Sequence, residues 1–365
     1  MKVGYGRVWD PAYPRNSRIR SYLVSRFGAE IAVTRRYEGS RTRRILHDVA
    51  TMLFGLHGKQ LYILAEFSLP YAVLLWIVAR LNRGVLIVDG FVGQYETMVD
   101  DWKKAEPGSA RARWYALVDR VAYRLADLVL IDTRVRARAL AAAHPGTEVL
   151  SLPVGAPAWA VPAGPRRRRG DAVTNVLYYG NYIPLHGLPV VLDAVRRAGR
   201  LTGLSVTLVG DGTPRREIER RASALGVAGS CRFLDPVPEE ELADHLAQAD
   251  IVLGIFGDSD KARTVIANKV WQGLASGRTV VTRTSPALAE IADVCGDQLV
   301  QVDGADDAEL AEALAAALVR LATADVTVET GTVDTGTAAA LAGYVDAEYA
   351  AFGRRVEELL AVRRR

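Results

Sequence analysis

What most constrains this chain is an alternation that runs through it twice. Short apolar and β-branched runs recur at residues 2–5, 31–34, 60–64, 85–89, 128–131 and 148–152, with helix-patterned stretches at 17–27, 69–81, 110–126 and 134–143. Strands alternating with helices of this length build βαβ units and a parallel sheet. The series breaks at residues 153–172, PVGAPAWAVPAGPRRRRGDA, which carry four prolines and four consecutive arginines without periodicity. It then resumes, with strands expected at 175–179, 205–209, 231–234, 250–255, 279–282 and 298–302, and helices at 306–323 and 338–362. A chain of 365 residues is also too long for one ordinary core. The pattern predicts an α/β protein of two doubly wound domains, 1–152 and 173–337. Residues 153–172 are the expected linker, and a last helix within 338–365 is expected to pack back on the first domain.

Composition narrows the class. Half the residues are apolar and 24% charged, which suits a globular chain rather than a disordered one. A net charge of +4, carried by clustered arginines, favours acidic small molecules or an anionic membrane surface. The two cysteines, Cys231 and Cys295, have neither metal spacing nor a disulfide framework, so a cytoplasmic location is expected. Met1 leads into a polar loop rather than a secretory signal. The longest apolar run, 67–79, is interrupted by Pro70 and is shorter than the about 20 residues of a membrane span. It reads as a buried helix. Arg166–Arg169 lack interleaved aromatic residues and read as a solvated loop, with no nucleic-acid partner.

Ligands of doubly wound sheets bind beyond the carboxyl ends of the strands, so the turns of the second half carry the functional argument. The first, YYGNYIPLHGLPVVLDAV, sets Gly180 after a strand and Gly187 at a helix start, where backbone N–H groups can meet an anion. His186 could donate to a phosphate there, or be structural. In the second, VTLVGDGTPRREIERRA, Thr213 is the expected N-cap and Pro214 the first helical residue. Gly210 and Gly212 give only half of a dinucleotide fingerprint, because Arg215 occupies the third glycine position.

The third turn, LGIFGDSDKARTVIANKVWQGLASG, places Phe256 and Gly257 after a strand and expects Asn268 to cap a short helix stopped by Gly277. Lys261, Arg263 and Lys269 converging on that helix start would suit a pyrophosphate, and Gln272 could bond sugar hydroxyls. Solvated lysines and an ordinary helix cap would account for the same residues.

These motifs, in this order, resemble those of GT-B glycosyltransferases, specifically the retaining family 4, the glycosyl transferases group 1. The likeness covers nearly the whole chain and rests on 180–194, 208–212, 253–281 and SPALAE at 285–290. YPRNSRIRSYL (13–23), VDGFVGQYETMVDD (88–101) and RLADLVLIDT (124–133) look like the acceptor-side half of one branch. The resemblance implies two Rossmann-like domains facing across a cleft. It also implies transfer of a hexose-type sugar from a nucleotide diphosphate sugar, UDP- or GDP-linked, in glycan biosynthesis, without cofactor or essential metal.

On this reading the donor meets Gly180, Asn181, Gly187, Gly210, Gly212, Phe256, Gly257, Lys261, Arg263, Asn268, Lys269 and Gln272. Asp89 and His186 are the candidate catalytic residues, and Arg15, Asn16, Tyr95 and Glu96 the acceptor-side ones. The sequence departs from the family in three places. Asn181 and His186 stand where a basic pair binds the diphosphate, Gln272 replaces the second glutamate of an acidic pair, and Thr264 the first. The three cations of the third turn are expected to take over the diphosphate, and Asp258, Asp260 and Glu290 are substitutes for the residue facing the sugar. Asp258-Ser259-Asp260 also matches a metal-binding D-x-D, but that motif belongs to a one-domain fold. A basic zone of Arg35, Arg36, Arg41, Arg43 and Arg44 precedes the apolar stretch 45–56, which allows a peripheral contact with the inner face of the cell membrane and a lipid-linked acceptor. The alternative is a catalytically silent or non-glycosidic protein of the same fold that binds a sugar nucleotide.

Overall fold

The computed structural model describes residues 1–163, 173–324 and 335–364; the four-arginine run lies outside them. The chain divides into two units, Met1–Val154 with Val345–Arg365, and Gly155–Tyr344. Each is built on a six-stranded, all-parallel sheet. The first comprises β1 (Lys2–Val8), β2 (Glu30–Arg35), β3 (Leu61–Leu64), β4 (Val85–Asp89), β5 (Leu128–Ile131) and β6 (Val149–Ser151), in the order β2-β1-β3-β4-β5-β6. The second comprises β7 (Thr174–Tyr179), β8 (Leu204–Val209), β9 (Cys231–Leu234), β10 (Ile251–Leu253), β11 (Thr279–Arg283) and β12 (Leu299–Val302), in the order β12-β11-β10-β7-β8-β9.

The central strands are covered by helices on both faces, which is why LYIL and LVLI are apolar throughout, VLIVD is apolar up to its final Asp89, and all three are buried. Several helix starts follow from one polar residue: Ser109 accepts from the N–H of Ala112, Thr133 from Arg136, and Asp306 from Ala308 and Glu309. The last helix, Gly336–Arg364, groups with the first unit from Val345 onward. There Tyr349 and Phe352 pack on Tyr22, with ring centroids 5.3 and 6.1 Å apart.

Three local expectations are corrected. Asn268 is the first residue of its helix, not its cap; Ala267 holds the cap position without a side-chain bond. The helix after β8 is Arg215–Ala224 with Pro214 as N-cap, so Thr213 lies outside it. The apolar run at 67–79 is not buried all round. Leu75, Val78 and Ala79 of helix Ala72–Leu81 face the core, whereas Val73, Ile77 and Leu81 are exposed.

Candidate functional site

In each sheet the strand order reverses at one place, and there the turns leave for opposite faces and open a crevice. In the second unit this is between β7 and β10. Three turns meet there at very close range. A Cβ on Gly210 would lie 2.1 Å from the Gly180 carbonyl oxygen, and one on Gly257 would lie 2.6 Å from that of Leu185. Gly187, at φ +63°, would place its Cβ 2.6 Å from the Phe256 backbone. These glycines let backbones approach one another, so their role is architectural. Gly212 similarly abuts Tyr182. The Phe256 ring is fully buried in the core, and the Gly187 N–H is taken by Pro184 O at 3.0 Å.

Gly180 differs from them. At φ +123° its bare face looks onto the Lys269 Nζ and the His186 Cε1, each 3.5 Å from where a Cβ would stand. Lys269 is 4% exposed, its Nζ has no hydrogen-bond partner, and the Tyr178 ring lies 4.1 Å beneath it. Burial holds its ammonium well below the ordinary lysine range. Lys269 is also the second residue of helix Asn268–Ala275, at the positive end of the dipole, where a cation is disfavoured again. A bound anion offsets both penalties, because it pairs with the ammonium and is itself drawn to the helix N-terminus.

His186 sits beside it on the turn Pro184–His186, with Nδ1 2.6 Å from both the Tyr178 hydroxyl and the Asn181 carbonyl oxygen. A carbonyl only accepts, so this pattern implies that Nδ1 carries the hydrogen. Burial, reinforced by Lys269, pushes the ring down to about 2, so it stays neutral with Nε2 as an acceptor. The sequence expectation that His186 donates to a phosphate is therefore corrected for the neutral ring.

Other expected donor-side residues stand elsewhere. The Gln272 side chain is buried and accepts from the Tyr179 hydroxyl at 2.8 Å, which ties it into the interior rather than to a ribose. Lys261 and Arg263 lie on a separate one-turn helix, Asp260–Thr264, capped by Ser259, and Arg263 is exposed. Only Lys269 of the three cations reaches Gly180. Asn181 is exposed and contributes its carbonyl oxygen to the His186 network. Asp258 and Asp260 are exposed, and Glu290 accepts from the Tyr344 hydroxyl at 3.1 Å. Among the described residues no group of three or more acidic, histidine or cysteine side chains is placed to hold a metal ion.

In the first unit the order reverses between β1 and β3. Arg7, next to last in β1, and Phe67, three residues past β3, both have left-handed backbones, at φ +56° and +59°, a strain tolerated where the surroundings impose it. Asp89, at the end of β4, is fully buried. One of its oxygens takes the Arg15 Nε at 2.7 Å and the other the Phe91 N–H at 3.1 Å. With both oxygens engaged, it holds Arg15 in place rather than offering a free base. Asn16 is likewise committed: it accepts from the Tyr5 hydroxyl and donates to Glu66 Oε1, each at 2.8 Å, and to Asp10 O at 2.9 Å.

Glu66, two residues past β3, was missed in the sequence, where an acidic residue after a strand has no distinguishing context. Burial, with the Asp89 charge adding, raises it to about 7, and its Oε2 is unpartnered. Glu96 pairs with Arg136 at 2.7 Å, while the Tyr95 N–H donates to Asp119 at 2.9 Å.

Comparison with known proteins agrees with the arrangement of the second unit. Residues 173–322 match the family model described as glycosyl transferases group 1. The chain has the GT-B fold, and its second domain is similar to that family. A D-inositol 3-phosphate glycosyltransferase of Geodermatophilus obscurus is 32% identical over 169 residues, which cover 42% of this chain and 36% of that relative. The chain thus spans about a third of its length. Over the whole fold, sucrose-phosphate synthase of Thermosynechococcus elongatus superposes with a TM-score of 0.70 at 14% identity, covering 99% of this chain and 100% of that one. Anabaena HepE, solved with UDP and glucose, gives 0.66 at 15%, covering 98% and 100%. WaaG, a glycosyltransferase of lipopolysaccharide biosynthesis, gives 0.63 at 17%, covering 98% and 99%.

Proposed function

We propose that this GT-B protein is a glycosyltransferase. Its second domain holds a nucleotide diphosphate sugar, and a hexose-type unit passes to a hydroxyl of a saccharide, lipid-linked or small-molecule acceptor at the first domain. The observation that carries the reading is the buried, unpartnered Lys269 ammonium against the bare face of Gly180, at the point where the strand order reverses. An isolated buried charge is costly, and a diphosphate would supply the missing counter-charge. The UDP complex of Anabaena HepE, of the same fold, supports the choice of ligand class.

In this reading the bond between the sugar and the diphosphate breaks as one forms to the acceptor oxygen. The departing diphosphate receives the acceptor's proton on the same face, so configuration is retained. Lys269 neutralises the charge that grows on the leaving group, an effect that a low-dielectric site strengthens. It requires no enzyme nucleophile and no metal. A cytoplasmic setting fits two unpaired cysteines that burial keeps as thiols, Cys231 raised to about 11 and Cys295 to about 12.

The test is turnover of UDP-, GDP-, TDP- and ADP-glucose with a panel of glycosides, read by diphosphate release and by the anomeric configuration of the product. Release of diphosphate with an α-linked product supports the reading. Donor that is bound and recovered unchanged makes the protein a sugar-nucleotide binder instead.

A further inference from the structure

The modest net charge of the chain hides a strong segregation. The first unit has 28 Lys and Arg against 18 Asp and Glu, a net +10; the second has 18 against 24, a net −6. The excess positive charge is not spread evenly over the first unit. The stretch 51–55, helix Ala72–Leu81 and helix Ala110–Leu125 form one layer, burying Met52, Leu75 and Ala122 against Tyr62, Leu86 and Val88 of the sheet. Helix Arg41–Ala50 runs directly into this layer.

Along these four segments the acidic residues are Asp48 and Asp119, 1% and 8% exposed, so neither presents a carboxylate to solvent. Asp48 is consumed by Arg7 at 2.7 Å, and Asp119 by the N–H groups of Gln94 and Tyr95. Arginines occupy the outside: Arg41 and Arg43 on one helix, Arg111, Arg113, Arg120 and Arg124 on another, all exposed.

The same outer surface is apolar where a water-facing layer would be polar. Leu46 is 65% exposed, Phe54 80%, Leu81 77% and Trp114 61%. Isolated exposed leucines are ordinary, but large apolar side chains recurring on the outside of one layer, between arginines and without an exposed carboxylate, mark a contact surface. A protein partner or a second copy would be expected to meet a few of these arginines with carboxylates. The chain's own negative charge lies in its second unit and not in this layer, so a second copy presenting the same layer would repel it. An anionic bilayer meets both features at once, its headgroups taking the arginines and its acyl boundary the leucine, phenylalanine and tryptophan side chains. No helix among the described residues is long and apolar enough to cross a membrane, so the contact lies on the surface.

We propose that the layer formed by Arg41–Ala50, 51–55, Ala72–Leu81 and Ala110–Leu125 docks the protein on an anionic lipid surface. The docking deepens the acceptor reading above, because it would bring a lipid-linked acceptor to the first domain. It stands apart from the chemistry, since it needs no sugar nucleotide to be seen.

The experiment is sedimentation of the full chain with vesicles of phosphatidylcholine alone or with added phosphatidylglycerol, at low and high salt. Binding should require phosphatidylglycerol and weaken with salt. Leu46→Ser with Phe54→Ser should lower the partition coefficient by about tenfold or more, and Arg111→Glu with Arg113→Glu by a comparable factor. Neither pair should alter the thermal shift given by the nucleotide diphosphate, which reports a folded second domain. Equal binding to both vesicle types, or wild-type binding by both double variants, overturns the proposal. So does a salt-insensitive dimer that the Leu46/Phe54 variant abolishes in the absence of vesicle binding. Vesicle binding without any sugar-nucleotide turnover leaves this surface standing and brings down the transferase reading alone.

Discussion

Replacing Lys269 by methionine should make the free protein more stable and its ligand-bound form relatively weaker. The side chain is 4% exposed and its Nζ has no hydrogen-bond partner, so the ammonium is compensated chiefly by the Tyr178 ring 4.1 Å away. Exchanging buried charge for an apolar group of similar shape is often stabilising by about 1–4 kcal/mol, less the about 0.5–2 kcal/mol of a lost cation–π contact. A gain of about 1 kcal/mol would raise the melting temperature of a domain this size by about 2–4 °C.

The sign with pH follows from the depressed lysine. The folded state binds fewer protons at this site than the unfolded one, so the wild type gains stability from it as pH rises toward 10.5, a rise the variant lacks. Ligand binding should move the other way. At a diphosphate concentration of a hundred times Kd the wild type gains about 2.7 kcal/mol. Loss of a charge-assisted contact weakens binding by about ten- to a hundredfold, which cuts that gain to about 0.4–1.4 kcal/mol. Differential scanning fluorimetry with and without the diphosphate reads both effects. A variant that is less stable than wild type yet shifts fully with diphosphate would refute the reasoning, making Lys269 an ordinary packing residue.

Three further outcomes follow. Gly180→Ala should destabilise the second domain by about 1 kcal/mol or more through its φ of +123° and reduce diphosphate affinity, because its Cβ would stand 3.5 Å from Lys269 Nζ; equilibrium binding and denaturation would check both. Diphosphate binding should raise the depressed lysine toward its ordinary range, so the complex takes up protons at a pH between the free and bound values, which calorimetry in buffers of different ionisation enthalpy detects as a buffer-dependent heat. Glu66 keeps its proton to about 7 in the folded state against 4.5 in the unfolded one, so the folded state binds more protons and stability falls as pH rises across that window. The loss is about 3 kcal/mol, and Glu66→Gln should flatten the denaturation profile between those values without lowering stability at pH 7.

The fold was legible because its determinants are local and repeated. All twelve strands were placed within a few residues by apolar runs bounded by turn residues; 85–89, 128–131 and 231–234 match their observed bounds. Boundaries slipped where tertiary contacts decide them, as at Asn268 and Thr213, whose capping chemistry the fold does not use.

The site was legible only in outline. Glycine spacing located the turns, but most of those glycines turn out to serve close backbone approach, which depends on neighbours far along the chain. Lys261, Arg263 and Lys269 looked equivalent in sequence. Burial separates them, since Lys269 faces inward from its helix while Arg263 is exposed. Asp89 looked available because its partner Arg15 is 74 residues away, and Glu66 looked ordinary because the groups that shift it come from other elements. The basic, apolar layer of the first unit was half visible as an arginine cluster. Its completion needed the exposure of Phe54, Leu81 and Trp114, which a sequence does not give.

The central claim is a diphosphate site at Gly180 and Lys269, and calorimetric titration of the wild type addresses it most directly. UDP, GDP, TDP and ADP would each be compared with the corresponding monophosphate. The account predicts that at least one diphosphate binds about tenfold or more tightly than its monophosphate, through the added charge contact with Lys269. Equal affinities for diphosphate and monophosphate, or no binding of any of them, would contradict it.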